Sequence, residues 1–196
     1  MDIGCGTMPY RNLFPEKCTY IGIDTFESEK NFGYKQDNVI YYDGMTFPLQ
    51  DNFVSVVLHS EVMEHIYDTK NFISECHRVL IKGGYMLVSV PFQAKYHYIP
   101  YDYWRFTPSS LENILTKAGF SNIRILPRGT DVTVAGYKVL AIGYRLFFNK
   151  SWFKKLLSVI LAPIWVLGLI AARISVVTNI GSEDDCLGFV IYCKKD

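Results

Sequence analysis

Met1-Asp2-Ile3-Gly4-Cys5-Gly6-Thr7-Met8-Pro9-Tyr10 sets an acid and two glycines at the end of an apolar strand and just ahead of a helix start. Glycines let a loop bend sharply and let a ligand lie against bare backbone, the arrangement of nucleotide-binding α/β folds. The dinucleotide fingerprint wants a third glycine where this chain has Pro9, which weakens a phosphate-cradling reading. Taken alone, the stretch reads better as a plain strand-to-helix turn.

Working outward, Cys18-Thr19-Tyr20-Ile21-Gly22-Ile23-Asp24 reads as a second buried strand ending in a carboxylate. It lies roughly 20 residues after the glycines, the spacing at which an acid reaches ribose hydroxyls; a helix-capping aspartate is the alternative. Phe53 to Leu58 and Gly84 to Val90 read as further strands, the latter following the turn Lys82-Gly83-Gly84. Between them Val62, Ile66, Phe72, Ile73, Val79 and Leu80 recur at helical spacing, predicting one or two helices over Glu61 to Leu80. Strands alternating with helices imply a parallel sheet whose ligand crevice lies beyond the strands' carboxyl ends.

These segments together resemble the class I S-adenosylmethionine-dependent methyltransferases, in the bacterial small-molecule (type 11) group. The resemblance rests on Asp2-Ile3-Gly4-Cys5-Gly6-Thr7, Ile23-Asp24, Phe47-Pro48-Leu49-Gln50-Asp51-Asn52-Phe53, Ser60-Glu61-Val62-Met63-Glu64-His65, Arg78-Val79-Leu80-Ile81-Lys82-Gly83-Gly84 and Ser89-Val90-Pro91-Phe92. It spans about the first 125 residues in matching order. Met8 departs from it, standing where many relatives have glycine.

The resemblance implies a Rossmann-like, doubly wound, mostly parallel sheet with one antiparallel strand near the C-terminus, and S-adenosylmethionine as cofactor. Asp2, Gly4 and Gly6 would wrap the cofactor's amino-acid part, and Asp24 would accept from both ribose hydroxyls. Asp43 and Gly44 would meet the adenine edge, unless Asp43 is an ordinary turn aspartate. Ser60 and Glu61 would close the pocket under the sulfonium, with Tyr10 either facing that cation or simply packing. Methyl transfer is an in-line displacement from a good leaving group, so placement supplies much of the acceleration. A hydroxyl acceptor would also profit from a base, for which His65 and His97 are the candidates; a reaction without a base is the alternative.

Tyr96 to Pro108 is dense in aromatic residues. Tyr101, Asp102, Tyr103 and Arg105 suit stacking on a ring and gripping polar groups, so they are the candidate substrate contacts. Similar Tyr-Asp-x-x-Arg-Phe-Thr-Pro loops occur in relatives among cell-surface polysaccharide enzymes, which points to a sugar-like or glycolipid acceptor. The plainer reading is that the aromatics clamp the loop and that Arg105 pairs with Asp102. Thr107-Pro108 reads as a cap and first position of a helix over Ser109 to Ala118, ended by Gly119.

The 196 residues are 49% hydrophobic with net charge +1, enough for a full core and without the basic excess of a nucleic-acid binder. Cys5, Cys18, Cys76, Cys186 and Cys193 are scattered without metal-ligand spacing, which suits a reduced, cytoplasmic protein without a secretory signal; no metal is expected. Leu156 to Ala172 carries no charge and is bracketed by Lys154, Lys155 and Arg173. It touches the lower length limit of a membrane span, with a kink expected at Pro163.

A single crossing is excluded, because Leu187 to Cys193 reads as the last strand and should lie antiparallel beside Asn122 to Leu126. The expected organisation is therefore one domain. Residues 1–130 form a cofactor-binding core lacking most of its first strand, 131–182 a hydrophobic helical insertion, and 183–196 the last strand. The insertion would touch the cytoplasmic face of a membrane, make a protein interface such as a homodimer or pack into the core, or cross as a two-span hairpin. Lys138, Arg145, Lys150, Lys154 and Lys155 favour an anionic lipid surface. Relatives carry a helix and most of the first strand ahead of the glycine loop, so the chain is read as truncated, weakly stable and a poor cofactor binder. Two other readings stand beside the enzyme: a membrane-bound scaffold with a vestigial cofactor site, and an NAD-dependent oxidoreductase, which Pro9 disfavours.

Overall fold

The computed structural model describes residues 1–32 and 36–196. A seven-stranded sheet is built from β1 (Asp2–Ile3), β2 (Gly22–Thr25), β3 (Val39–Tyr42), β4 (Val54–Ser60), β5 (Leu80–Pro91), β6 (Phe120–Pro127) and β7 (Gly188–Lys195). The strand order is β3-β2-β1-β4-β5-β7-β6. The first five strands pair in parallel and the sheet is mostly parallel, with antiparallel pairing at its C-terminal end. Helices α1 (Phe26–Phe32), α2 (Thr69–Val79) and α3 (Pro108–Lys117) connect its strands.

β1 has only two residues, yet it lies between β2 and β4. Its Asp2 amide donates to the Ile21 carbonyl at 2.8 Å, and the Met1 carbonyl accepts from the Leu58 amide at 2.8 Å. A helix was expected directly after the glycine loop; the chain makes only a 3-10 turn, Arg11–Leu13. Phe14 is extended, as a residue before proline prefers, and Pro15 ends the helical conformation there.

α2 buries Thr69, Phe72, Ile73, Cys76 and Val79 along one face, the spacing that identifies an amphipathic helix. The Asp68 side chain caps its start by accepting from the Asn71 amide at 3.1 Å. At its other end the Lys195 ammonium of β7 donates to the carbonyls of His77 and Leu80, each at 2.7 Å. A cation on terminal carbonyls satisfies orphan acceptors and opposes the negative end of the helix dipole. Ahead of α2, Met63–His65 makes a separate 3-10 turn, so the predicted helical stretch is two pieces.

Arg78 holds the chain entering β4. Its guanidinium donates to the carbonyls of Leu49 at 2.8 Å and Phe47 at 3.1 Å, and to the carboxylates of Asp51 and Glu75. Gly84 is required by close approach, because a Cβ there would stand 2.9 Å from the Ile81 carbonyl and 3.1 Å from that of Ser55. α3 begins as the sequence predicts, with Thr107 accepting from the Ser110 amide at 3.3 Å and Pro108 in the first turn.

The chain divides into two compact units, the second comprising Phe92–Ala94 and Pro127–Phe189. It contains α4 (Asp131–Phe147), α5 (Trp152–Ile160) and α6 (Ala162–Thr178). Small residues let α4 and α6 touch: a Cβ on Gly136 would lie 2.5 Å from the Gly168 carbonyl oxygen. Thr133 and Ser175 hydroxyls meet at 2.6 Å, and Ser158 donates to the Gly143 carbonyl at 2.9 Å. The outward positions are large and apolar, including Trp152, Phe153, Ile160, Leu167 and Val177. Among the described residues no single helix is long and apolar enough to cross a membrane; α5 and α6 reach that length only together, bent by 56°. Pro163 lies in the first turn of α6, next to the expected kink.

His59 is fully buried in β4 with its ring edge toward Phe72, and burial lowers its imidazole to about 3 from 6.5. The unfolded chain therefore takes up a proton below about pH 6.5 that the folded chain refuses, so stability is complete above that pH and falls with acidification. The expected loss is roughly 1.4 kcal/mol per pH unit down to about pH 3. Denaturant melts of wild type and His59→Leu over this range check it, the variant having the shallower acid limb.

Candidate functional site

The carboxyl ends of β1, β2, β3 and β4 open into a cleft of about 1360 Å³. Gly4, Asp24, Asp43, Gly44 and Glu61 line it, together with His65, His97, Tyr98, Tyr101 and Tyr103. A separate, smaller recess of about 280 Å³ is lined by Asp2, Gly4, Gly6, Tyr10 and Ser60.

The loop is shaped by left-handed backbone. Gly4 has φ +63°, and a Cβ there would lie 2.5 Å from Cγ2 of Val62. Met8 also sits at φ +55°, a conformation that costs a residue with a side chain and explains why glycine suits that position. The Met8 thioether lies over Gly22, whose own Cβ would be 3.0 Å from Sδ.

Asp2 and Asp24 are buried at the strand ends. Asp2 accepts from the Tyr20 hydroxyl, and burial raises its carboxyl above the usual range. Asp24 ties the loop to β2, accepting from the Gly6 amide at 3.0 Å and the Thr25 amide at 2.8 Å. Asp43 makes the turn that the plainer reading expected, accepting from the Met45 amide at 2.9 Å and the Thr46 amide at 3.3 Å, while still facing the cleft. Ser60 takes part in a hydroxyl chain the sequence does not reveal: Tyr10 donates to Ser60 at 3.0 Å, Ser60 and Ser89 share a bond at 2.7 Å, and Ser89 donates to Glu61 at 3.0 Å. Tyr10 thereby engages Ser60 through its hydroxyl.

His65 and His97 meet edge to face with ring centroids 4.9 Å apart. Nδ1 of His65 lies 2.8 Å from the Tyr101 carbonyl. Nδ1 of His97 lies 3.0 Å from the Lys95 carbonyl and 3.1 Å from Asp102. These partners only accept, so each Nδ1 carries a proton and each Nε2 is left pointing away from them. Burial holds the His65 imidazole below its ordinary value.

Asp102 and Arg105 pair with each other. The Asp102 side chain is fully buried, accepts from Arg105 at 2.6 and 2.8 Å and from the His97 amide at 2.9 Å, and is held well below the carboxylate range by that guanidinium. The pair is bidentate, and Arg105 also donates to the carbonyls of Trp104 at 2.7 Å and Lys95 at 3.3 Å, so it braces the aromatic loop. Tyr101 and Tyr103 alone of the predicted four line the cleft among the described residues.

Sequence reasoning passed over Glu64. It is fully buried, neither carboxylate oxygen has a hydrogen-bond partner among the described residues, and burial pushes it up to about 8. Nε2 of His65 stands 3.7 Å from Oε1. The available signal was an acid inside the otherwise apolar run Val62-Met63-Glu64-His65-Ile66.

Residues 1–88 match the family described as a methyltransferase domain. A probable S-adenosylmethionine-dependent methyltransferase of Mycolicibacterium smegmatis is 34% identical over 95 residues, covering 46% of this chain and 37% of that protein. One from Mycobacterium tuberculosis is 29% identical over 96 residues, covering 46% and 35%. The aligned stretch thus spans little over a third of these curated relatives. Among solved structures, a SAM-dependent methyltransferase from Archaeoglobus fulgidus superposes with TM-score 0.62 at 20% identity over 99% of this chain and 84% of that one. A possible histamine N-methyltransferase from Thermotoga maritima gives 0.58 at 17% identity over 100% and 80%. At these identities the likeness is one of fold.

Removing the brace should free the aromatic loop without touching the sheet. Asp102→Ala is expected to raise hydrogen exchange across residues 96–105 and to cost roughly 1–3 kcal/mol, the range for stranding a hydrogen-bonded partner. Exchange mass spectrometry with a denaturant melt checks both.

Proposed function

We propose that this chain transfers a methyl group from S-adenosylmethionine to an oxygen of a small or lipid-linked, sugar-like acceptor. The observation that carries the reading is a pair of hollows at the sheet's carboxyl edge that share Gly4 in their linings. The glycine-lined recess suits the methionine moiety, the two acidic strand ends suit ribose and adenine, and the part of the cleft lined by His65 and His97 suits an acceptor. Asp2, Gly4 and Gly6 would receive the amino-acid portion. Asp24 would exchange its bond with the Gly6 amide for the ribose hydroxyls, and Asp43 with Gly44 would meet adenine.

In the transfer, the acceptor oxygen attacks the methyl carbon as the carbon–sulfur bond breaks and its electron pair returns to sulfur. The acceptor's proton would pass to Nε2 of His65 or His97, histidine being the side chain that most often serves as general base. Tyr101 and Tyr103 would stack on the acceptor ring. Relatives of this fold include an enzyme titled as a phosphoethanolamine methyltransferase and one titled as a cyclase, so the fold itself selects no acceptor.

Membrane contact is the second part of the proposal. α4, α5 and α6 turn Thr133, Gly136, Gly143, Ser158 and Ser175 inward and leave aromatic and aliphatic side chains exposed. Small and hydroxyl residues between helices with an apolar exterior are what lipid favours and water does not. Lys154 and Lys155 beside the exposed Trp152 and Phe153 suit an anionic cytoplasmic leaflet.

Calorimetric titration with S-adenosylhomocysteine is expected to show micromolar binding that Asp24→Ala weakens at least tenfold; no binding by wild type would sink the enzyme reading. In vesicle co-sedimentation, the chain should bind anionic bilayers more than zwitterionic ones, and the double substitution Trp152→Glu, Phe153→Glu should release it from both. Equal recovery in the supernatant with and without vesicles would refute the membrane contact.

A further inference from the structure

Glu64, His65 and His97 offer three ligand atoms that all lie within 4.8 Å of one another. The grouping is distinguished from a chance cluster by two further observations. The Glu64 carboxylate is fully buried and neither oxygen has a hydrogen-bond partner among the described residues, a costly state unless something else compensates it. Both histidines are also oriented from behind. Nδ1 of His65 is spent on the Tyr101 carbonyl, and Nδ1 of His97 on the Lys95 carbonyl and Asp102. A metal-binding imidazole is held in this way, with its distal N–H on a carbonyl or carboxylate and its other nitrogen free.

We propose that Glu64, His65 and His97 bind a divalent first-row transition cation through one carboxylate oxygen and two Nε2 atoms. Two imidazoles and one carboxylate suit ions from Mn²⁺ to Zn²⁺ better than Mg²⁺ or Ca²⁺, which prefer all-oxygen shells. Metal–ligand bonds of about 2.0–2.2 Å separate neighbouring ligand atoms by about 3–3.5 Å. The present spacing closes to that with movements of about an ångström, available to His97 because it stands on the aromatic loop and is 33% exposed. Three protein ligands leave coordination positions open, and His65 and His97 line the cleft, so an oxygen of the acceptor would fill them. With the cation bound both Nε2 atoms are ligands and neither is the base, the cation instead acidifying the hydroxyl it holds, whose proton leaves to water. The acceptor class this implies is one presenting a pair of oxygens, such as vicinal hydroxyls or a hydroxy acid. That last step rests on the methyl-transfer reading, whereas the cation site does not.

Co²⁺ titrated into the whole chain is expected to produce visible d–d bands that saturate at one equivalent and are displaced by Zn²⁺. Glu64→Gln and His97→Ala should each weaken Co²⁺ at least tenfold while leaving the far-ultraviolet circular dichroism intact. Substoichiometric Mn²⁺ added to wild type should broaden the ring resonances of His65 and His97 before those of His59 and His77, a measurement that needs no variant to fold. Absence of bands at millimolar Co²⁺, unchanged affinity in both variants, or broadening at other histidines would overturn the proposal. S-adenosylhomocysteine calorimetry on the same samples separates this failure from failure of the cofactor site.

Discussion

Two residues join the two halves of this sheet. β1 is paired with β2 on one side and β4 on the other, and the chain leaves it at Gly4, whose amide donates to the Ile23 carbonyl at 2.9 Å. The turn out of the strand must be left-handed and bare, because the Val62 side chain occupies the space a Cβ would need. The glycine loop, the recess beneath it and the tie from Gly6 to Asp24 all take their positions from that short strand. A strand this brief is sufficient because both of its edges are hydrogen-bonded and both of its side chains are buried.

The unit around the cleft treats its buried charges in two ways. Asp102 is enclosed by Arg105 and a backbone amide, and Lys195 is surrounded by carbonyl oxygens. Both act as braces, one behind the aromatic loop and one at the end of α2, with their polar capacity filled from within the fold. Glu64 is held just as deeply, yet no hydrogen bond answers it among the described residues. Charges that only build the scaffold are compensated locally, and a buried acid that is not compensated beside two oriented histidines is where chemistry has room to enter.

The helical unit inverts the usual rule of a water-soluble fold. Its hydroxyls and glycines face inward, and Trp152, Phe153, Leu156, Leu167 and Leu169 are exposed. The uncharged run Leu156 to Ala172 was visible in the sequence, but its arrangement was not. Leu161 and Pro163 divide it into α5 and α6, and a 56° bend separates their axes. Periodicity could not foresee this, since α6 is apolar around most of its circumference and so shows no preferred face.

What the sequence determined by itself is whatever depends on local backbone chemistry. The left-handed glycines, the Thr107-Pro108 helix start, the buried strands ending at Asp24 and Ser60 and the alternation of strand and helix were legible because each is a property of neighbouring residues. So was the possibility that Arg105 pairs with Asp102, three residues apart. Contacts between distant residues were decided only by the tertiary structure. Tyr10 reaches Ser60, Lys195 caps α2 and Arg78 holds the entry to β4, and none of these pairings leaves a trace in composition or spacing. The meeting of His65 with His97 above Glu64 is of the same kind, produced when a loop leaving β5 folds back over the turn that follows β4. Burial did the rest: a carboxylate acquires its chemistry from the water and partners it lacks, and those are set by the fold.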